Sequence, residues 1–196
     1  IATLQNLFWI AESSERWGDH YIQIEDIDAS STSVWFEGEG WIPIGNGSTA
    51  FTGTYNGQDH IIDGLYVNRP ATDYIGLFGV VNSAVIQNLN LINVNISGND
   101  YVGGLIGHHI ESELNNSSAT GSISGNDFVG GLIGHLYLWS AVNNCHSDGF
   151  VKGHNEVGGL IGFNDYGSTV ATSYSNSNVI GNLYVGGLIG DNYYMS

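Results

Sequence analysis

Basic residues are nearly absent from this 196-residue sequence. Arg16, Arg69 and Lys152 stand against 19 Asp and Glu, for a formal net charge of -16. Such a chain has nothing with which to neutralise phosphates, so nucleic acid is excluded as a charge-driven partner. An anionic membrane surface is disfavoured for the same reason. No apolar run approaches the roughly 18 residues that a membrane helix needs. Proline occurs only twice beside 29 glycines, which excludes collagen and a proline-rich linker. The single cysteine, Cys145, has no internal disulfide partner and reads as a small buried apolar residue. The chain begins at Ile1 without a secretory pattern, so it reads as a processed chain or a segment of a longer one.

What the sequence has is a repeat. Tyr74-Ile-Gly-Leu-Phe-Gly79 is followed by Tyr101-Val-Gly-Gly-Leu-Ile-Gly107, Phe128-Val-Gly-Gly-Leu-Ile-Gly134, Glu156-Val-Gly-Gly-Leu-Ile-Gly162 and Tyr184-Val-Gly-Gly-Leu-Ile-Gly190. The closing glycines are spaced by 28, 27, 28 and 28 residues. A second column holds Ile86, Leu114, Val142 and Val170. Asn88, Asn116, Asn144 and Thr172 follow two residues later, then Leu89, Ser117, Cys145 and Ser173. A third holds Ile96, Ile123, Val151 and Val179. Each repeat thus offers three short alternating apolar segments bounded by Gly, Asn and Asp, all too short for helices. This predicts an all-β, right-handed parallel β-helix, or β-solenoid, the hand following from the crossover rule. One coil takes about 28 residues, and about six rungs stack over roughly 25 Å. The pattern extends upstream if Ile62 and Ile24 take the Ile86 position, with Ile44-Gly45 an early copy of the Gly79 corner.

In such a stack each residue lies over its counterpart in the next coil. The Asn88, Asn116 and Asn144 column predicts an internal amide ladder at a bend. Small residues at 117, 145 and 173 predict a narrow cross-section. The paired glycines predict either positive φ or close backbone approach. Open solenoid ends need covering, and residues 3–17 supply a capping helix. Leu4, Leu7, Phe8 and Ala11 fall at helical spacing, with Thr3 as N-cap and Gly18 as stop. Phe51–Tyr55 with Asn56-Gly57 reads as a hairpin-like excursion beside Trp35 and Trp41, which read as packing residues. The expected organisation is a cap at 1–19, irregular coils with the insertion at 20–73, and regular coils at 74–196.

Gly-Leu-Ile-Gly at 104–107, 131–134, 159–162 and 187–190 resembles the GLUG motif, with Gly76-Leu-Phe-Gly79 a variant. Trp41-Ile-Pro-Ile-Gly45 and Phe51-Thr-Gly-Thr-Tyr-Asn-Gly57 resemble the segment preceding such repeats in large bacterial surface proteins. Those include adhesin-like proteins and IgA-specific metallopeptidases. The resemblance implies a right-handed β-helix in a secreted or cell-surface bacterial protein, and carries no catalytic residues. The His-Glu-x-x-His string of the peptidases is absent from the sequence.

Candidate chemistry is sparse. His108 and His135 stack one coil apart but lack evident companions to complete a metal site. Asp100 and Asp127 occupy stacked turns and are the candidate calcium ligands, against a reading as solvated turn residues. Paired carboxylates hydrolyse neutral glycans, but these sit in a regular repeat, as turn residues do. No Gly-x-Ser-x-Gly elbow occurs. Tyr74, Tyr101, Phe128 and Tyr184 alternate with an inward Val column, so they form a candidate outward aromatic stripe for a glycan or protein ligand. The resulting expectation is a non-enzymatic stalk or adhesion module of a larger extracellular or cell-surface protein. Its partner would be a protein or glycan on another surface, with no cofactor unless calcium binds. The competing class is a carbohydrate-binding or carbohydrate-active β-helix module.

Overall fold

The computed structural model describes residues 1–193. It is a parallel β-solenoid of about five turns, with four sheets running along the stack. One coil shows the path. Ile106–Ile110 lies in sheet C, Glu113–Asn115 in sheet A, Ser118–Ser124 in sheet B and Asp127–Gly130 in sheet D, and Ile133–Tyr137 then returns to sheet C. Sheets A and C contain six and five strands, and sheet D four. Every pairing between named strands is parallel. The coil therefore has four strands rather than the expected three. The recurring glycine string is itself broken at its Gly-Leu corner, with Gly130 ending sheet D and Ile133 opening sheet C.

Single left-handed residues turn the corners. Asn88, Asn116, Asn144 and Thr172 have φ between 49° and 52° where sheet A passes to sheet B. Asn suits this region because its short amide tolerates positive φ. Asn116 Nδ2 donates to Asn88 Oδ1 at 3.0 Å and Asn144 Nδ2 to Asn116 Oδ1 at 2.9 Å. Asn88 extends the ladder back to Asn56 at 3.1 Å. The ladder exists, but it is external: Asn116 and Asn144 are exposed. A left-handed corner turns its side chain outward, and the inward place falls to the next residue. Ser117 and Cys145 there are buried. The Cys145 thiol is pushed up to about 11 by burial.

The paired glycines serve close approach, since none has positive φ. A Cβ on Gly104 would meet the Ala119 Cβ at 2.7 Å, and one on Gly131 the Ser147 Cβ at 2.8 Å. The Gly-Leu corner thus presses across the interior onto the small residues of sheet B, giving the narrow section. A buried serine ladder, Ser112, Ser140 and Ser168, fastens a third corner: Ser112 Oγ accepts from Ala84 N at 3.0 Å and Ser140 Oγ from Ser112 N at 3.3 Å.

The helix is shorter than its expected range. It spans Leu4–Ala11, followed by a 3-10 turn at Ser14–Arg16. Thr3 Oγ1 caps it by accepting from Asn6 N at 3.2 Å. Trp17 ends it: its indole N–H donates to the Ile10 carbonyl at 2.9 Å, satisfying a terminal acceptor. Leu4, Leu7 and Ile10 are buried in the same core as the first coils.

Upstream, two expectations change. Phe51–Asp63 is no hairpin. Thr54–Asn56 pairs in parallel between His20–Ile22 and Val85–Gln87, and Ile61–Asp63 pairs in parallel in sheet B. The register also moves by one sheet. Tyr21 and Tyr55, not Ile24 and Ile62, stack under Ile86, while Ile62 stacks under Leu91. Tyrosines at inward positions disguised the column. Tyr55 is fully buried because its hydroxyl donates to the buried Gln23 at 3.1 Å. Ile44 does precede Phe78 in sheet C, as the early corner copy requires. Trp41 is wholly buried and Trp35 packs against it at 6.3 Å. The expected regular region runs to 196, and residues 194–196 lie outside the described ones.

Candidate functional site

The aromatic stripe forms on the outside of the bend leading into sheet D. Val102, Val129 and Val157 point inward and are fully buried. Tyr74, Tyr101 and Phe128 therefore face out, all with φ near 60°. Tyr74 stacks on Tyr101 at 4.8 Å and 17°, and Tyr101 on Phe128 at 4.7 Å and 12°. The stack ends there. Glu156 takes the next rung, and Tyr184 beyond it stands 59% exposed. The structure thus brings three of the four candidate rings together.

Parallel stacking has a chemical consequence. The ring faces lie against one another, and the edges are left to solvent. A sugar ring or a cation needs a face, so most of this column fastens rungs. Burial, and then the surrounding negative charge, raises the Tyr101 phenol pKa. Burial likewise raises the Glu156 carboxyl, reinforced by Asp127, Asp191 and Asp100.

His108 and His135 stack beside the stripe at 4.7 Å and 5°. Rings so nearly parallel carry parallel in-plane lone pairs, which do not converge on one ion. Burial depresses their pKa values to about 4 and about 3. His109 points the other way, into the core, where burial holds it at about 3, and neither ring nitrogen has a hydrogen-bond partner.

Asp100 and Asp127 stack as expected, and their oxygens hold the next rung. Asp100 Oδ1 accepts from Asn126 Nδ2 at 2.9 Å and from Asp127 N at 3.1 Å. Asp127 Oδ1 accepts from Asn155 N at 3.1 Å. Asp73 begins the series by accepting from Asn99 Nδ2 at 2.7 Å. Among the described residues no three His, Cys, Asp or Glu side chains are grouped to hold a metal ion.

Two features escaped the sequence reading. One is a groove of about 690 Å³ between the helix end and the stripe, lined by Glu12, Trp17, Ser48, Thr49, Asp73 and Tyr74 among others. The other is Trp139, 67% exposed at the bend between sheets C and A. The spacing held its signal. His108 to His135 is 27 residues and Ser112 to Ser140 is 28, so this coil carries one extra residue at Leu138-Trp139.

The family model of the GLUG motif matches residues 98–124. Halomucin of Haloquadratum walsbyi is 39% identical over 126 residues, covering 62% of this chain and 1% of halomucin. A provisionally named Gly-rich membrane protein of Evansella cellulosilytica is 39% identical over 75 residues, covering 38% of this chain and 9% of that protein. The chain therefore spans only a small fraction of the curated relatives it matches. A crystal structure of a provisionally named immunoglobulin A1 protease from Bacteroides ovatus superimposes with a TM-score of 0.66. It covers 96% of this chain and 69% of that one at 19% identity, a likeness of fold alone. The chain carries a GLUG β-helix repeat similar to regions of surface-associated proteins.

Proposed function

We propose that this chain is a non-enzymatic solenoid segment of a larger, secreted or surface-anchored protein, serving as a stalk or adhesion module outside the cell. One observation carries the reading. The residues that look like a site, namely the Asn, Asp and aromatic columns, are fastened to their own copies one rung away. Such continuous ladders suit a rod that must hold register under load.

Pulling the chain between its ends by single-molecule force spectroscopy tests this. A sharp unfolding barrier is expected, lowered when Asn116→Ala and Asn144→Ala are combined. Gradual extension at low force, equal in parent and variant, would contradict a load-bearing role. Asp100 and Asp127 act here as rung fasteners, so a chelator should leave Tm unchanged, and a fall would restore calcium as a ligand.

A carbohydrate-binding module is the second reading, favoured by the groove beside Tyr74. Its mixed aromatic and hydroxyl lining offers what a neutral sugar needs. Retention of neutral glycans on an array, abolished by Tyr74→Ala, would support it. No retention would remove it.

A further inference from the structure

Trp139 is where the repeat is broken and an aromatic face is free. The Leu138-Trp139 pair is left-handed at both residues, with φ of 52° and 56°. The added residue is kept in the following rung, so Trp139 sits in register over Gly167, and Trp139 N donates to the Tyr166 carbonyl at 3.0 Å. The ring lies over Gly167: a Cβ there would come within 2.5 Å of the indole. One face is thus seated on a residue without a side chain, and the residue as a whole is 67% exposed. This contrasts with Tyr101, whose faces are covered by Tyr74 and Phe128.

The charge around this platform has one sign. Glu111 N donates to the Leu138 carbonyl at 3.1 Å, and Glu113 pairs with Ala141, so the segment from 111 to 113 runs alongside Trp139. Both glutamates are exposed. No Lys or Arg occurs in any strand of sheets A or C, and the three basic residues of the chain lie elsewhere. An exposed indole face in a negative field attracts a cation. A guanidinium fits better than an ammonium, because it stacks flat on the ring while donating to carboxylates.

We infer that the Trp139 platform, with Glu111 and Glu113 beside it, is a docking site for arginine side chains of a basic protein segment. The inference rests on the adhesive half of the reading above. Its failure would leave the pulling experiment, and hence the stalk, untouched.

The test measures binding of labelled oligoarginine, oligolysine, oligoglutamate and a neutral cello-oligosaccharide to the full chain at roughly physiological ionic strength. Oligoarginine should bind tightest and oligoglutamate not at all. Trp139→Ser, which changes no charge, should weaken oligoarginine about tenfold, while Trp139→Tyr retains part of the affinity. Glu111→Gln with Glu113→Gln should weaken it further and flatten its salt dependence. Circular dichroism should show all variants folded, since the three positions are exposed. Equal oligoarginine affinity in parent and Trp139→Ser would overturn the inference, leaving only bulk attraction between polyelectrolytes. Oligosaccharide binding lost in Trp139→Ser, with no oligoarginine binding, would overturn it in favour of a glycan.

Discussion

In the first turns the interior is filled with rings: Trp41, Phe51, Tyr55 and Phe78 are all fully buried. From residue 101 onward no Phe, Tyr or Trp among the described residues is buried: Ile106 and Leu114 continue the Phe78 and Tyr55 columns, and the small Ser117, Ala119, Cys145 and Ser147 join the interior. The two regions reach close packing by opposite routes. The early turns have irregular paths and need volume to fill them, supplied by side chains of 150–250 Å² each at most. The later coils draw the backbone inward, so that Gly131 and Ser147 nearly touch and the Ser147 hydroxyl donates to the Gly159 carbonyl at 2.5 Å. Stability should therefore be sensitive to lost volume in the first region and to added volume in the second.

The largest expected effect tests the first half of that contrast. Phe51→Ala should cost about 3–5 kcal/mol, whereas Cys145→Ala should cost about 1 kcal/mol or less. Denaturant unfolding of both decides it, and equal losses would break the comparison. Added volume comes next. Gly131→Ala places a Cβ 2.1 Å from the Gly159 carbonyl oxygen, while the equivalent atom on Gly187 meets nothing within 4 Å. We expect a loss of about 2–3 kcal/mol for the first and within about 0.5 kcal/mol for the second.

A third effect appears only in acid. His108, His109 and His135 have folded-state pKa values near 4, 3 and 3, all below the ordinary 6.5. The unfolded chain then binds more protons, so their contribution is complete above pH 6.5 and is lost as pH falls toward 3. The limiting slope is about 1.4 kcal/mol per pH unit for each histidine. Glu156, with its raised pKa, works in the opposite sense. His109 stacks against Val81 and Leu136, so His109→Leu should fit, raise Tm at neutral pH and flatten the acid limb. An unchanged acid limb would count against a buried neutral imidazole. The smallest effect belongs to the exposed ladder: Asn116→Ala should cost about 1 kcal/mol, and Asn116→Gly less, since it keeps the left-handed corner.

The regular coils were legible because each inward position repeats. Val142 stacks on Leu114 and Ile86 where the spacing put it. The first turns were not, because Tyr21 and Tyr55 occupy apolar positions through hydrogen bonds, from Tyr21 to the Arg16 carbonyl and from Tyr55 to Gln23, that no periodicity announces. The aromatic stripe could be read for direction, from its alternation with valine. It could not be read for ring orientation, which depends on how far neighbouring rings tilt, and that decides whether Tyr101 offers a face or an edge. The Asn ladder was visible as a column and misplaced as internal, because a left-handed corner reverses the side expected from alternation. Trp139 was overlooked although a one-residue slip in the spacing marked it.

The central claim is that the paired glycines and the small residues of sheet B define one narrow section together. The chain already contains both solutions. Leu91 lies opposite a corner of two residues between Ile75 and Phe78, and Ala119, stacked on Leu91, opposite one of three between Val102 and Ile106. A double-mutant cycle in equilibrium unfolding would combine Ala119→Leu with deletion of Gly104. Each change alone should destabilise by about 2–3 kcal/mol, and the pair should recover at least half of the summed loss, because it converts the second coil to the design of the first. Strictly additive losses would contradict the account.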